Sequence, residues 1–330
     1  MTTTLDQKFS NPGIGLGCMN LSHAYGTPLA EDEAINALHA AFDMGYRHFD
    51  TATLYGGGKN ETLVGKALKQ KRQSFFLASK CGMEISQETG KKEINGRPET
   101  IKRQCEASLR RLQTETIDLY YLHRLDPNVA IEESVGALSD LVREGKIGAI
   151  GLSEVSATTL ARAQQEHPIA ALQTEYSLWS RNPEIAVLEH CRKTGTAFVA
   201  FSPLARGFLT NSLRDVSTLE AKDIRNNMPR FNADNYAENL KLLNEYVQIA
   251  EAAGCTPAQL ALAWVQAQGD FIVPIPGTRF ASHMEENLAA DEVSLDPRTL
   301  ERLNALINQS TVYGPRYSEA QQKEIDTEQF

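Results

Sequence analysis

The segment IDLYYLHRLDPNVAIEESVGALSDLVREGKIGAIGLSE (117–154) carries the pattern that organises the chain. It opens on a short apolar run, IDLYYLH (117–123), and closes on another, IGAIGLSE (147–154). Short continuous apolar runs bounded by polar turns mark strands covered on both faces. Between them, IEESVGALSDLVREG (131–145) spaces its apolar residues as one face of a helix. Strand, helix and strand in that order predict a parallel βαβ unit.

The same alternation extends in both directions. GIGLGCM (13–19), HFDTA (48–52) and FFLASK (75–80) precede this unit, and AALQTEYS (170–177), AFVAFSP (197–203) and FIVPIPG (271–277) follow it. Amphipathic segments fill the gaps. EDEAINALHAAFDMG (31–45) ends at Gly45, suited to a helix C-terminus, and PETIKRQCEASLRRL (98–112) begins with Pro98, suited to a first turn. Eight alternating units predict an α/β fold, a (β/α)8 TIM-type barrel, with residues 1–330 as a single domain. The length fits a barrel of roughly 250 residues plus insertions. The main interruption, about 206–255, follows the seventh strand and reads as a long lid-like loop and an extra helix. The polar tail after Ile307 reads as an extension draped over the surface.

Composition narrows the partners. A net charge of −9 argues against duplex DNA and anionic membrane surfaces, which select an electropositive face. No apolar run is long enough for a membrane span. The first residues, MTTTLDQKFSNPGIGLG, lack the basic and apolar regions of a signal peptide. Five widely spaced cysteines without a CxxC fit a reducing compartment, so the expected location is cytoplasmic.

In such a barrel, polar residues at the C-terminal ends of strands are the catalytic candidates. Asp50 ends the second strand, Tyr55 lies in the loop beyond it, Lys80 ends the third and His123 the fourth. The set makes chemical sense. An ammonium beside a phenol favours the phenolate, an aspartate keeps that ammonium charged and in place, and a histidine orients a carbonyl oxygen. A site of this kind protonates an oxygen that is gaining negative charge.

Other motifs read as structural. GIGLG (13–17) fails as a dinucleotide fingerprint because Cys18 stands where a glycine is needed. GGGKN (56–60) lacks P-loop spacing and reads as a turn before a helix. The seven histidines show no HxH or HExxH spacing, so no metal is expected. Tyr120, Tyr121, Cys81 and Trp264 read as packing residues. Met19, Tyr25 and Trp179 fall in loops at the expected mouth and would favour an apolar or aromatic carbonyl compound.

The runs DTATLYGGGKNETLVGKAL (50–68), ASKCG (78–82), GLSE (151–154), QTEYSLWSR (173–181), FSPLARGFL (201–209) and PIPGTRFASHMEENLAA (274–290) resemble the aldo-keto reductase family, in order and across nearly the whole chain. The resemblance implies a tetrad of Asp50, Tyr55, Lys80 and His123, with Tyr55 as general acid, and reduction of a small-molecule aldehyde or ketone by NADPH. It places Ser153 and Gln173 at the nicotinamide carboxamide and Phe201 stacked on the ring. Ser202, Leu204 and Arg206 fall at the pyrophosphate. Gly277, Thr278 and Arg279 fall near the adenosine phosphate, and Glu286 and Asn287 at the adenine. Arg279 is the expected partner of the 2′-phosphate, since guanidinium pairs bidentately with phosphate. His283 fits either that phosphate or an exposed helix start. Two departures stand out: Glu154 replaces a common asparagine, and Ile275 replaces a common lysine. Some proteins resembling this family are nucleotide-binding regulatory subunits with little turnover, which is the alternative reading.

Overall fold

The computed structural model describes residues 13–86 and 89–330. The reading of the first dozen residues as no signal sequence lies outside the described residues. In chain order the strands are β1 (Leu16–Gly17), β2 (His48–Asp50), β3 (Phe76–Cys81), β4 (Met83–Ile85), β5 (Lys92–Ile94), β6 (Leu119–Leu122), β7 (Ile150–Ser153), β8 (Ala171–Glu175), β9 (Ala197–Phe201) and β10 (Ile272–Ile275). Eight of them form one parallel sheet in the order β1-β2-β3-β6-β7-β8-β9-β10, with helices between successive strands. The ring closes where Gly15 N–H donates to Pro274 at 3.0 Å and Gly17 N–H donates to Pro276 at 3.2 Å. The eight predicted runs thus become the eight barrel strands.

The period of two along each strand decides which side chains enter the barrel. Phe76, Ala78, Leu119, Tyr121, Val199 and Val273 form one buried cluster inside the ring. Their neighbours Leu77, Tyr120, Leu122, Phe198 and Ile272 belong to a second cluster between strands and helices. One further step along the inward rows reaches Lys80 from Ala78, His123 from Tyr121, Gln173 from Ala171 and Phe201 from Val199. The same rule that fills the interior therefore delivers the polar residues to one mouth.

Gly151 illustrates how tightly the interior is filled. A Cβ there would stand 2.3 Å from the Tyr121 ring. Its lack of a side chain makes room for that fully buried tyrosine.

Two regions depart from the sequence expectation. The first is the antiparallel hairpin of β4 and β5, directly after β3, where polar composition gave no strand signal. The second is the tail. It lies over the surface along most of its length as expected, but dips inward at Arg316 and Tyr317, which are buried. Arg316 pairs with the fully buried Glu154. Asp326 accepts from Ser156 N–H at 3.1 Å and from Thr159 Oγ1 at 2.6 Å, at the N-terminus of the helix Ala157–Glu166. At Arg316 and Asp326, polarity in this tail serves partners within the fold.

The insertion after β9 matches its reading in outline. Short 3-10 turns run to Phe231, and the extra helix spans Ala233–Ala252. Trp264 is buried as expected, donating to Asn304 at 3.1 Å. No helix among the described residues is long and apolar enough to cross a membrane.

Candidate active site

A cavity of about 660 Å³ opens at the C-terminal ends of the strands. Asp50, Tyr55 and His123 line it, while Lys80 lies just behind them, 1% exposed. Tyr55 opens the 3-10 turn Tyr55–Gly58, in which Gly56, Gly57 and Gly58 all take positive φ. Three consecutive left-handed residues are accessible to glycine at little steric cost, and this kink turns the chain from β2 back over the mouth. The following helix, Lys59–Leu68, is anchored by Asn60, whose Oδ1 accepts from Thr51 at 2.7 Å.

Lys80 donates to Asp50, to the Thr51 carbonyl at 2.8 Å and to the Tyr55 hydroxyl at 3.5 Å. Asp50 Oδ2 accepts from Gln173 Nε2 at 2.8 Å. The Tyr55 and His123 rings meet edge to face at 5.9 Å. All four predicted residues are thus brought together.

The electrostatics follow from burial. Burial works against the Lys80 ammonium, but Asp50 and the Tyr55 oxygen outweigh it, so its pKa is raised and the charge is held. Burial also pushes the Tyr55 phenol above its ordinary pKa, with Lys80 offsetting only part of that rise. The sequence argument had the lysine lowering the phenol's pKa. In the folded protein desolvation wins, and Tyr55 keeps its proton at neutral pH. Burial first, then Arg124 and Lys80, hold the His123 imidazole well below its usual range, so it is neutral. Its buried Nδ1 has no partner among the described residues.

From this end a groove runs past the ends of β7 to β10. Ser153, Gln173 and Phe201 line it nearest Asp50. Ser202, Leu204, Arg206, Gly277, Thr278, Arg279, Glu286 and Asn287 line the same cavity. Ser202, Ala205 and Arg206 all take positive φ. Strained residues of this kind cost about 1–3 kcal/mol each and gather at functional sites. Arg206 enters the groove already paired with Glu175 at 2.7 Å. Arg279 donates to the Thr27 carbonyl at 2.8 Å and has no carboxylate partner among the described residues. Asn287 is 1% exposed, yet neither its amide oxygen nor its nitrogen has a partner among the described residues. Two orphaned buried atoms facing a cavity fit a heterocycle that both donates and accepts. His283 lies beside Thr278, 3.5 Å from its hydroxyl.

Met19 and Tyr25 line the cavity as expected. Trp179 does not. Its ring stacks on Phe208 at 4.2 Å and meets Phe231 edge-on at 5.4 Å, beneath the insertion after β9. A loop position suggested exposure, but the insertion covers it, and the tryptophan is core. Residues the sequence reading passed over also reach the cavity. His23 stacks near Tyr55 at 6.1 Å, Arg124 follows His123, and Tyr317, Gln321 and Ile325 enter from the tail. Arg124 was findable by the strand-end rule. The tail residues carry no local signal.

Glu154 also gains an explanation. Its carboxylate accepts from Glu175 N–H at 2.9 Å and pairs with Arg316. At this position the chain has an anchor for its tail.

Fold and site together define a (β/α)8 barrel with an aspartate, a tyrosine, a lysine and a histidine gathered at the mouth of one cavity. The chain belongs to the aldo/keto reductase family, whose family model matches residues 13–308. It is 41% identical to the aldo-keto reductase yakc [NADP(+)] of Schizosaccharomyces pombe over 311 residues, 93% of this chain and 91% of that one. Among solved structures, the glycerol dehydrogenase AKR11B4 from Gluconobacter oxydans superposes with a TM-score of 0.82 at 29% identity, covering 92% and 93% of the two chains. An aldo/keto reductase from Klebsiella pneumoniae in complex with NADP and acetate gives 0.69 at 28% identity, over 93% and 95%.

Proposed function

We propose that the protein reduces an aldehyde or ketone to an alcohol with NADPH, and that Tyr55 supplies the proton. The observation that carries this reading is the half-buried Tyr55 phenol, which lines the cavity with its hydroxyl 3.5 Å from the ammonium of Lys80, itself paired with Asp50. NADP is named for the yeast relative, and the cavity is lined by Ser202, Thr278 and Arg279, side chains able to donate to phosphate oxygens.

When bound, NADPH supplies the hydride that goes to the carbonyl carbon. The protein's part is positioning and proton supply. Ser153 and the Gln173 carbonyl oxygen hold the carboxamide, since the Gln173 Nε2 is already committed to Asp50. Phe201 covers one face of the ring. Ser202, Leu204 and Arg206 flank the pyrophosphate. Arg206, already neutralised by Glu175, contributes hydrogen bonds more than net charge. Gly277, Thr278 and Arg279 meet the adenosine phosphate, and Glu286 and Asn287 the adenine. Neutral His123 donates a hydrogen bond to the carbonyl oxygen and sets its direction. As negative charge grows on that oxygen, Tyr55 gives up its proton. Lys80 stabilises the resulting phenolate, and Asp50 keeps Lys80 in place. Met19, Leu54 and Met83 offer apolar walls to the rest of the substrate.

The test is NADPH oxidation with a panel of aldehydes and ketones, comparing the protein with Tyr55→Phe. Turnover should fall by roughly 10²–10⁴ in the variant, while NADPH binding, followed by fluorescence, persists. Equal turnover in both proteins would remove Tyr55 as the acid. No turnover in the unaltered protein despite tight NADPH binding would remove the reductase reading.

A further inference from the structure

Arg124 sits at the catalytic end of the cavity, directly after His123. The other cations lining that end, or lying just behind it, are committed. Lys80 is paired with Asp50, Lys92 with Glu324, Arg206 with Glu175 and Arg225 with Asp223. Arg124 has no carboxylate partner among the described residues. Its Nη1 donates to the His123 carbonyl at 2.7 Å and to Ser153 Oγ at 3.3 Å. Its Nε is buried without a partner, and no hydrogen bond among the described residues engages Nη2. The guanidinium is therefore anchored through one nitrogen and otherwise unspent.

An uncompensated cation in a partly closed cavity costs desolvation energy that a ligand's charge can offset. The carboxylates nearby are not available for this. Asp50 is used by Lys80 and Gln173, and Glu220 accepts from the Thr27 amide and hydroxyl at 2.9 and 2.8 Å. The local field is positive by a second sign: Arg124, Lys80, Lys92 and His23 all help to depress the His123 imidazole, after burial itself. In a chain of net charge −9, a cation left free beside the proton donor is informative.

We propose that Arg124 is a specificity-determining residue that binds a carboxylate on the carbonyl substrate, so that the enzyme prefers oxo acids and carboxylated aldehydes to neutral ones. Nη2 provides the charge-assisted hydrogen bond. Lys92, carried on the β4–β5 hairpin and tethered by Glu324, adds a weaker second cation. The assignment rests on the reductase reading above.

The test compares 3-carboxybenzaldehyde and 4-carboxybenzaldehyde with their methyl esters, at low ionic strength, in the unaltered protein, Arg124→Met and Arg124→Lys. For at least one isomer, kcat/KM of the acid should exceed that of the ester about tenfold or more, as expected for one charge-assisted bond. In Arg124→Met that ratio should collapse toward one, mainly through KM, and Arg124→Lys should restore part of it. A ratio near one in the unaltered protein overturns the proposal. So does an equal loss for acids and esters in Arg124→Met, which would make Arg124 only a support for Ser153 and His123. A melting temperature for each variant separates either result from misfolding. If no aldehyde is reduced at all, the reductase reading itself fails, a different outcome from reduction without selectivity.

Discussion

At the ends of β2 and β3, Asp50 and Lys80 form a buried ion pair against the cavity. Beyond the ends of β7 and β8, Glu154 and Glu175 meet Arg316 and Arg206, equally buried. Both clusters put carboxylates and cations at the same level of the barrel, where burial is costly unless charges are paired. They differ in what remains open. Around Lys80 the next group is the Tyr55 phenol, which lines the cavity. Around Glu154 and Glu175 the remaining sites are filled by backbone N–H, Ser180 at 2.9 Å and the Tyr317 hydroxyl, which lies 3.2 Å from Arg206. One cluster is poised for chemistry, and the other fastens the tail and the insertion to the barrel.

The comparison can be broken most sharply at Lys80. Lys80→Met should lower kcat/KM by a hundredfold or more, and should also lower the melting temperature by stranding Asp50. Adding Asp50→Leu should recover the melting temperature without recovering activity. Recovery of both would mean the pair is structural, like its counterpart. At the other cluster, Glu154→Gln should cost about 3–5 kcal/mol in denaturant titrations, because it leaves Arg316 buried and unpaired. The double change Glu154→Leu with Arg316→Met should restore much of that stability and, with it, activity per folded molecule.

Acid titration sharpens the contrast further. Arg206, Arg316 and Arg230 overcome the burial penalty on Glu175 and bring its pKa down from 4.5 to about 2. Because the folded value is the lower one, the folded state binds fewer protons. The stabilisation is therefore complete above the unfolded pKa and is lost as pH falls from about 5 through 2. A shift of that size corresponds to roughly 3 kcal/mol. Glu175→Gln should flatten the acid limb of a stability–pH curve in this window. An unchanged limb would show that other carboxylates drive acid unfolding. The smallest effect is expected at Gly151→Ala, about 1–3 kcal/mol from overpacking against Tyr121. The Tyr121 ring lies 5.8 Å from Lys80 Nζ, so calorimetry paired with kcat reports whether the catalytic pair tolerates a shifted floor.

The barrel was legible because its signal is local. A run such as IDLYYLH shows burial on both faces by itself, and its period of two already aims Tyr121 and His123 the same way. The candidate site was legible for the same reason: Asp50, Lys80 and His123 stand at or just beyond the C-terminal ends of neighbouring strands. Trp179 misled because a loop residue's burial depends on what later sequence lies above it, here Phe208 and Phe231. The inward dip of the tail was not legible because Arg316 and Asp326 are as polar as any surface residue, and nothing near them in sequence announces Glu154 or Ser156.

By itself, then, the sequence determined the strand and helix order and which face each strand turns inward, since periodicity and turn chemistry act over a few residues. Tertiary structure alone decided which charges are paired and which is left free. It also decided that Tyr55 keeps its proton and that the tail forms a wall of the cavity. Desolvation and ion pairing depend on segments far apart in sequence arriving at the same place, 30 residues apart for Asp50 and Lys80 and 162 for Glu154 and Arg316.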